Sequence, residues 1–195
     1  PALFSLLIDG TGELGKKLSA DSRIPLISAT GSCRMGRSVG EVVGKRLGRT
    51  ILELGGNNAV IVTNEADLKL VVPSILFGAV GTAGQRCTSI RRIIVEASTK
   101  DLLVDHLLKA YAQIQIGDPR KSDTLMGPLI NIRAVEMYKA TIEEIKSSGG
   151  KILFGGNAKA KMPSELYVEP TIAVVDRSCR LLQEEVFAPI VYIVP

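Results

Sequence analysis

The sequence contains few of the side chains on which several functional classes depend. Tryptophan is absent, aromatic residues make up 4% of the chain, and the basic residues are scattered rather than clustered. Proteins that bind single-stranded nucleic acid need aromatic side chains beside a basic groove, so we expect no nucleic-acid partner. No apolar run is long enough to span a membrane, so we expect no membrane partner either.

Histidine and cysteine are also scarce. His106 is the single histidine, and the three cysteines, Cys33, Cys87 and Cys179, lie far apart. An odd number of distant cysteines fits neither a disulfide framework nor a zinc site. These features predict free thiols, no metal, and a cytoplasmic location, or a mitochondrial one if the source is a eukaryote. His106 falls beside the apolar face of a predicted helix, so we expect a surface or half-buried role rather than a catalytic base.

Apolar runs of strand length alternate with helical patterns, which is typical of α/β proteins. The first strand is predicted at residues 3–8, and "RIPLISATGS" predicts the next one. Two buried strands, "TILEL" and "NAVIV", are separated by Gly55 and Gly56. Helices are expected over 66–84 and 131–148, and the remaining C-terminal sequence is rich in predicted strands.

Two glycine-rich turns lie between predicted strands and helices. Gly10, Gly12 and Gly15 match the dinucleotide fingerprint G-x-G-x-x-G, but the acidic residue expected about twenty positions later is missing. This turn therefore either cradles a phosphate or only reverses the chain. Ser32, in "TGSCRMG", stands at a strand-to-helix junction, where free N–H groups can bind an anion. The alternative is that Thr30 or Ser32 only caps the helix.

Two further side chains could carry chemistry. Glu53 ends an apolar strand in "LELGG", where a carboxylate can cap, pair with a base or act as a general base. Cys87, in "GTAGQRCTS", follows a predicted helix end on a polar loop. A backbone N–H there can point towards the same place as the thiol. A nucleophilic thiol needs such a donor, because the attack produces an oxyanion that must be stabilised. On these grounds alone, Cys87 is either a nucleophile or a structural cysteine.

Three motifs, in this order and spacing, resemble those of the aldehyde dehydrogenase superfamily over essentially the whole chain. "LELGG" resembles the family's glutamate motif, "GQRCT" its cysteine motif, and "EEVFAPI" the segment that holds the nicotinamide ribose. Glu53 and Cys87 are 34 positions apart (87 − 53), as the family pattern requires. "ELGGNNA" and "YVEPTI" look closest to the antiquitin, or α-aminoadipic semialdehyde dehydrogenase, branch. Asn57 distinguishes this branch, since most other branches have lysine at the same position, in the motif ELGGK.

The resemblance implies an α/β, aldehyde dehydrogenase-like fold. Residues 1–55 would form the C-terminal part of a Rossmann-like NAD(P)-binding domain, and residues 56–195 most of the α/β catalytic domain. Cys87 would be the catalytic nucleophile and Glu53 the general base, and we expect the two to share one cavity. The implied cofactor-binding residues are Gly31, Ser32, Gly36, Glu185 and Phe187.

The implied reaction is the oxidation of an aldehyde, such as α-aminoadipic semialdehyde, to the acid through a cysteine thiohemiacetal and a thioester. NAD, or NADP, would be the cofactor. One alternative is a CoA-acylating semialdehyde dehydrogenase, but members of that class generally lack the glutamate, so Glu53 argues against it. The other is a non-catalytic structural or binding protein that retains the fold, against which the intact Cys87, Glu53 and Glu185 argue.

Both ends of the sequence look cut, so we expect a fragment that covers less than half of a full family member. The family's oxyanion asparagine and adenine-ribose lysine would precede Pro1, and its oligomerisation tail would follow Pro195. The isolated fragment is therefore expected to bind NAD⁺ negligibly, to aggregate and to be inactive. The full-length protein is expected to form a homo-oligomer, a tetramer.

Overall fold

The computed structural model describes residues 3–194, which divide into two compact units, Pro1–Gly55 and Gly56–Pro195. The first unit is a β-α-β crossover preceded by a short helix. Its elements, in chain order, are α1 (Glu13–Ala20), β1 (Leu26–Thr30), α2 (Cys33–Lys45) and β2 (Arg49–Glu53). The two strands are parallel and in register from Leu26↔Arg49 to Thr30↔Glu53, so their carboxyl ends lie side by side.

The second unit contains a five-stranded sheet flanked by helices. Its strands are β3 (Asn58–Val62), β4 (Ile90–Val95), β5 (Lys151–Phe154), β6 (Thr171–Val174) and β7 (Ile190–Val194). Their order across the sheet is β3-β4-β7-β6-β5, and every neighbouring pair is parallel except β5 with β6. Its α-helices are α3 (Leu68–Val80), α4 (Ala97–Tyr111) and α5 (Ile132–Ser147). Two short 3₁₀ helices, Gly81–Gly84 and Arg180–Gln183, precede β4 and β7.

The core of the second unit lies between its central strand and its helices. Every described residue of β7 is buried, as parallel strands covered on both faces require. Helix α4 buries Leu103, Leu107 and Tyr111, which recur every four residues on one face. Burial of each such side chain contributes about 1.5–3 kcal/mol. His106 lies on the exposed side of the same helix, which confirms its predicted surface role.

Most of the predicted helices and strands are confirmed, but they are shorter than predicted. The helix predicted over 66–84 is α3 followed by a 3₁₀ turn, and α3 continues through Pro73. The helix predicted over 131–148 is α5, whose N-cap Asn131 accepts a hydrogen bond from the Ala134 N–H (3.0 Å).

The strand predicted at residues 3–8 is wrong. The segment has no regular secondary structure, and Leu3 and Phe4 are more than 90% exposed. Its apolar composition suits a strand, but a strand is stable only when its backbone groups pair with a neighbour. Within residues 3–194, β1 pairs only with β2, and no strand pairs with this segment.

A buried hydroxyl joins α5 to the turn after β5. The Thr171 hydroxyl lies 2.7 Å from the Tyr138 hydroxyl and accepts from the Gly156 N–H (3.0 Å). Tyr138 also donates to the Glu169 carbonyl (2.8 Å), and burial raises the pKa of Tyr138 to about 12. The Thr171 hydroxyl is therefore the hydrogen-bond acceptor of the Gly156 N–H.

Thr171→Val, which keeps the side-chain shape, should lower the free energy of unfolding of the full-length protein by about 1–3 kcal/mol, because it leaves the partly buried Gly156 N–H unpaired. The matched control is Thr141→Val. The Thr141 hydroxyl donates only to the Met137 carbonyl one turn earlier in α5 (2.9 Å). That control should cost less than about 1 kcal/mol. Equal losses in denaturant unfolding would contradict the importance of the Thr171 hydroxyl.

Candidate active site

The predicted cofactor residues of the first unit lie between the carboxyl end of β1 and the first turn of α2. Ser32 is the N-cap of α2, and its hydroxyl oxygen accepts from the Met35 N–H (3.2 Å). This confirms the capping role. A capping hydroxyl keeps its own proton for donation, and Ser32 and Gly31 are both exposed, so contact with an anion stays a prediction.

Gly36 has a packing role that the sequence did not reveal. It is buried in the first turn of α2, and a Cβ there would lie 2.5 Å from the Leu54 side chain. The absence of a side chain therefore lets α2 lie close to the chain that leaves β2. The predicted cofactor role of Gly36 stays a prediction beside this structural one.

The turn with the dinucleotide fingerprint is organised by Asp9. Its carboxylate accepts from the N–H groups of Thr11 (2.9 Å) and Leu14 (2.8 Å) at the start of α1. The hydrogen bond from the Thr11 hydroxyl, with those of the backbone, lowers the pKa of Asp9 to about 2. The protein's own anion thus occupies donors that a bound phosphate would need, which favours the chain-reversal alternative.

Glu53 is the last residue of β2. Its side chain is exposed, and its carbonyl accepts from the Gly31 N–H (3.0 Å). Glu53 and Cys87 belong to different units, so their shared cavity stays a prediction.

Cys87 lies on a tight turn between the first 3₁₀ helix and β4, and its thiol is free and exposed. The turn is closed twice: the Ser89 N–H donates to the Arg86 carbonyl (3.0 Å), and the Arg86 N–H donates to the Ser89 hydroxyl (3.2 Å). Ser89 is fully buried. The exposed thiol therefore lies on a backbone turn that two hydrogen bonds hold in place.

The backbone before this turn adopts an uncommon conformation. Thr82, Ala83 and Gly84 all have positive φ, at 55°, 50° and 68°. A Cβ on Gly84 would lie 2.4 Å from the Ala188 carbonyl oxygen, so only glycine allows this approach. The chain before Cys87 therefore contacts the "EEVFAPI" segment directly.

Arg91 is the largest fully buried side chain among the described residues, and it connects the two motifs. Its guanidinium makes five hydrogen bonds, of 2.8–3.3 Å, to the Glu185 carboxylate and to the carbonyls of Gly56, Gly84, Arg86 and Val186. The guanidinium carbon also lies 5.2 Å from the ring centroid of Phe187. Burial lowers the pKa of Arg91, and the negative charge of Glu185 opposes that shift.

Glu185 is held from two directions. Its Oε1 accepts from Arg91 Nη2 (3.1 Å) and from the Gly56 N–H (3.3 Å). The side chain keeps 21% of its surface exposed. Phe187 follows it and is 37% exposed. A partly exposed carboxylate thus lies beside an exposed aromatic ring.

Two adjacent amides complete the arrangement. Asn57 Nδ2 donates to the carbonyls of Leu182 (2.8 Å) and Glu184 (3.1 Å). Asn58 Nδ2 donates to the carbonyls of Cys87 (2.6 Å) and Ser89 (3.0 Å). The second unit therefore connects the Cys87 turn and Glu185 through one set of hydrogen bonds, and the ring of Phe187 lies beside the guanidinium at its centre.

Neither Arg91 nor Asn58 was predicted from the sequence as a residue of the site. A signal for Arg91 was present, because β4 alternates and its next inward positions, Ile93 and Val95, are apolar. An arginine in the buried register of a strand requires many acceptors, which indicates a polar assembly around it. Asn58 gives no such local signal.

Arg91→Lys keeps the positive charge but not the planar fork of donors. We expect the free energy of unfolding of the full-length protein to fall by at least about 2 kcal/mol, since each buried acceptor left unpaired costs about 1–3 kcal/mol. Arg92→Lys is the control on the same strand. Arg92 makes one long hydrogen bond, to the Leu182 carbonyl (3.4 Å), so its replacement should cost less than about 1 kcal/mol. Similar losses for both variants would show that Arg91 does not hold the assembly.

Two kinds of feature are absent from residues 3–194. No group of three or more His, Cys, Asp or Glu side chains is placed to hold a metal ion. None of the helices in this part of the chain is long and apolar enough to cross a membrane.

Comparison with known proteins gives consistent matches. The family model described as "Aldehyde dehydrogenase family" matches residues 1–195. The chain is 45% identical, over 191 residues, to aldehyde dehydrogenase family 7 member A1 of Brassica napus, covering 98% of this chain and 38% of the relative. It is also 45% identical, over 194 residues, to alpha-aminoadipic semialdehyde dehydrogenase of Bos taurus, covering 99% of this chain and 36% of the relative.

A solved structure is similar as well. The betaine aldehyde dehydrogenase of Staphylococcus aureus in complex with NAD⁺ superposes with a TM-score of 0.89 at 32% identity, covering 92% of this chain and 36% of that one. The chain therefore spans less than two fifths of the length of the relatives that it matches.

Proposed function

Because the chain belongs to the aldehyde dehydrogenase family, we propose that the full-length protein oxidises an aldehyde to the carboxylic acid with NAD⁺. The observation that carries this proposal is the exposed Cys87 thiol on a turn fixed by Asn58 and Arg91. In this proposal, Pro1–Gly55 is the C-terminal part of the NAD(P)-binding domain, and Gly56–Pro195 is the larger part of the catalytic domain.

Cys87 performs the covalent step. Its thiolate attacks the aldehyde carbon, and the carbonyl oxygen becomes the oxyanion of a thiohemiacetal. In this proposal the backbone N–H of Cys87 donates to that oxyanion, from a turn whose carbonyls accept hydrogen bonds from Asn58 and Arg91. Loss of hydride from the same carbon leaves a thioester on Cys87.

Glu53 performs the hydrolytic step. As a general base it takes a proton from water, whose oxygen attacks the thioester; the C–S bond breaks, and the acid and the free thiol are released. CoA would replace water in a CoA-acylating enzyme, so the presence of Glu53 favours hydrolysis. The intact Cys87 and Glu53 likewise disfavour a non-catalytic role.

The residues around Arg91 suit the nicotinamide end of the cofactor. Glu185 is fixed through Oε1, and among the described residues its Oε2 makes no hydrogen bond, so it can accept from ribose hydroxyls. The exposed ring of Phe187 offers an apolar surface to a planar group. Ser32, Gly31 and Gly36 would lie near the diphosphate. When bound, NAD⁺, or NADP⁺, supplies the hydride acceptor.

The relatives support one substrate class. A relative with 45% identity is an alpha-aminoadipic semialdehyde dehydrogenase, and the motif "ELGGNNA", which contains Asn57, resembles that branch. We therefore propose a semialdehyde, such as α-aminoadipic semialdehyde, as the substrate. Its second functional group would be recognised by residues beyond the nucleophile.

The assembly and location of the full-length protein are also proposals. Exposed apolar side chains on β3 and α3, such as Ile61 (73%) and Leu70 (69%), offer a surface for self-association into a homotetramer. Three free cysteines suit a reducing compartment, either the cytoplasm or mitochondria.

Cys87→Ala in the full-length protein should abolish aldehyde oxidation, because no other group can form the thioester. Cys33→Ala and Cys179→Ala are the matched controls and should retain most of the activity in an NAD⁺-reduction assay with a panel of semialdehydes. Appreciable turnover by the Cys87 variant would refute the nucleophile assignment.

Glu53→Gln should slow hydrolysis more than acylation and so produce a pre-steady-state burst of NADH. General-base assistance is worth about 10²–10⁴-fold, which sets the expected loss in steady-state rate. Glu41→Gln, which changes an exposed glutamate of α2, is the control and should show neither effect. A Glu53 variant with the wild-type rate and no burst would make Glu53 a structural carboxylate.

A further inference from the structure

We propose that Asn57 and Asn58 are positioning residues with separate targets. Asn58 holds the nucleophile turn, and Asn57 holds the segment that carries Glu185. The inference rests on the functions proposed above for Cys87 and Glu185, and it goes beyond them by giving the two neighbouring asparagines separate effects on the reaction. It predicts that neighbouring substitutions damage different steps of one reaction.

Asn58, the first residue of β3, reaches both sides of the nucleophile turn. Its Nδ2 lies 2.6 Å from the Cys87 carbonyl and 3.0 Å from the Ser89 carbonyl. A backbone carbonyl can only accept a hydrogen bond, so these two contacts require the amide nitrogen on that side. The Cys87 carbonyl belongs to the peptide that follows the nucleophile, so Asn58 limits rotation of the backbone that carries the thiol.

Asn57 makes the equivalent contact with the other segment. Its Nδ2 donates to the carbonyls of Leu182 and Glu184, and Glu184 immediately precedes Glu185. Its Oδ1 is buried and has no hydrogen-bond partner among the described residues. An unpaired buried acceptor is costly, and the amide nevertheless keeps this orientation. The two hydrogen bonds that its Nδ2 donates therefore determine the orientation. The adjacent Gly56 N–H donates to Glu185 itself.

Adjacent residues of an extended chain point to opposite sides, which lets one dipeptide serve two segments. The Asn58 contacts act on the attack by the thiol, a step that is sensitive to displacements of about 1 Å. The Asn57 contacts act on the carboxylate proposed to bind the cofactor ribose. The two substitutions should therefore separate acylation from cofactor affinity.

The test uses Asn58→Ala and Asn57→Ala in the full-length protein, with three measurements. These are the rate of NADH formation in a single turnover at saturating NAD⁺, the Kd for NAD⁺ by calorimetry, and the rate at which iodoacetamide labels Cys87 in the cofactor-free protein. We expect Asn58→Ala to lower the single-turnover rate about tenfold and to change the labelling rate at least about threefold, with the Kd within about twofold. We expect Asn57→Ala to raise the Kd about tenfold and to leave labelling unchanged.

Asn157→Ala is the matched control. Its amide donates to the Glu169 carboxylate (2.9 Å) on the exposed surface, so none of the three quantities should change. If thermal melting shows that Asn58→Ala does not fold, Asn58→Ser replaces it with the same expectations. Equal changes of the single-turnover rate and the Kd in both asparagine variants, or no change in either, would overturn the inference. Those outcomes leave the proposed function intact as long as Cys87→Ala is inactive, whereas an active Cys87→Ala variant overturns the function itself.

Discussion

The buried guanidinium of Arg91 is the constraint on which the rest of the site depends. A charge removed from water is tolerated only when it is paired and fully hydrogen-bonded. Here four backbone carbonyls and one carboxylate meet that requirement, and they come from segments up to 95 residues away in the sequence. The nucleophile turn, the chain before β3 and the "EEVFAPI" segment must therefore all be in place before Arg91 is satisfied. Folding of the core and assembly of the site are in this way one event.

The assembly lies at the amino ends of three neighbouring parallel strands. Asn58 opens β3, Cys87 precedes β4, and Glu185 precedes β7. Connecting helices end at that edge of a parallel sheet, and a helix end leaves carbonyl groups without partners. Side chains that present N–H donors are the natural complement. Arg86 also serves this purpose, since its guanidinium donates to the Phe77 carbonyl (2.8 Å) near the end of α3. The richness in arginine and asparagine amides thus follows from the topology.

How much could be predicted from the sequence depends on the range of the interaction. Periodicity and capping predicted α5 and most of the strands, because those signals are local. Motif spacing identified Cys87 and Glu53 as candidates, and the structure puts Glu53 at a strand end and Cys87 on an exposed turn. The strand at residues 3–8 failed because strand formation needs a partner. The role of Asn58 depends on carbonyls 29 and 31 residues away, which no local pattern records.

The unusual backbone conformation lies directly before Cys87 because the contacts that stabilise it are found there. Two non-glycine residues in the left-handed region, Thr82 and Ala83, each cost about 1–2 kcal/mol relative to the ordinary helical region. Such a conformation persists only where surrounding contacts over-determine it. Those contacts are present here: the Gly84 carbonyl accepts from Arg91, the Gly84 Cα lies against the Ala188 carbonyl, and the Arg86–Ser89 turn is closed from both ends. The hydrogen bonds and contacts of the polar assembly thus offset the strain. The strained segment also brings the Cys87 turn within hydrogen-bonding distance of Arg91 and Asn58.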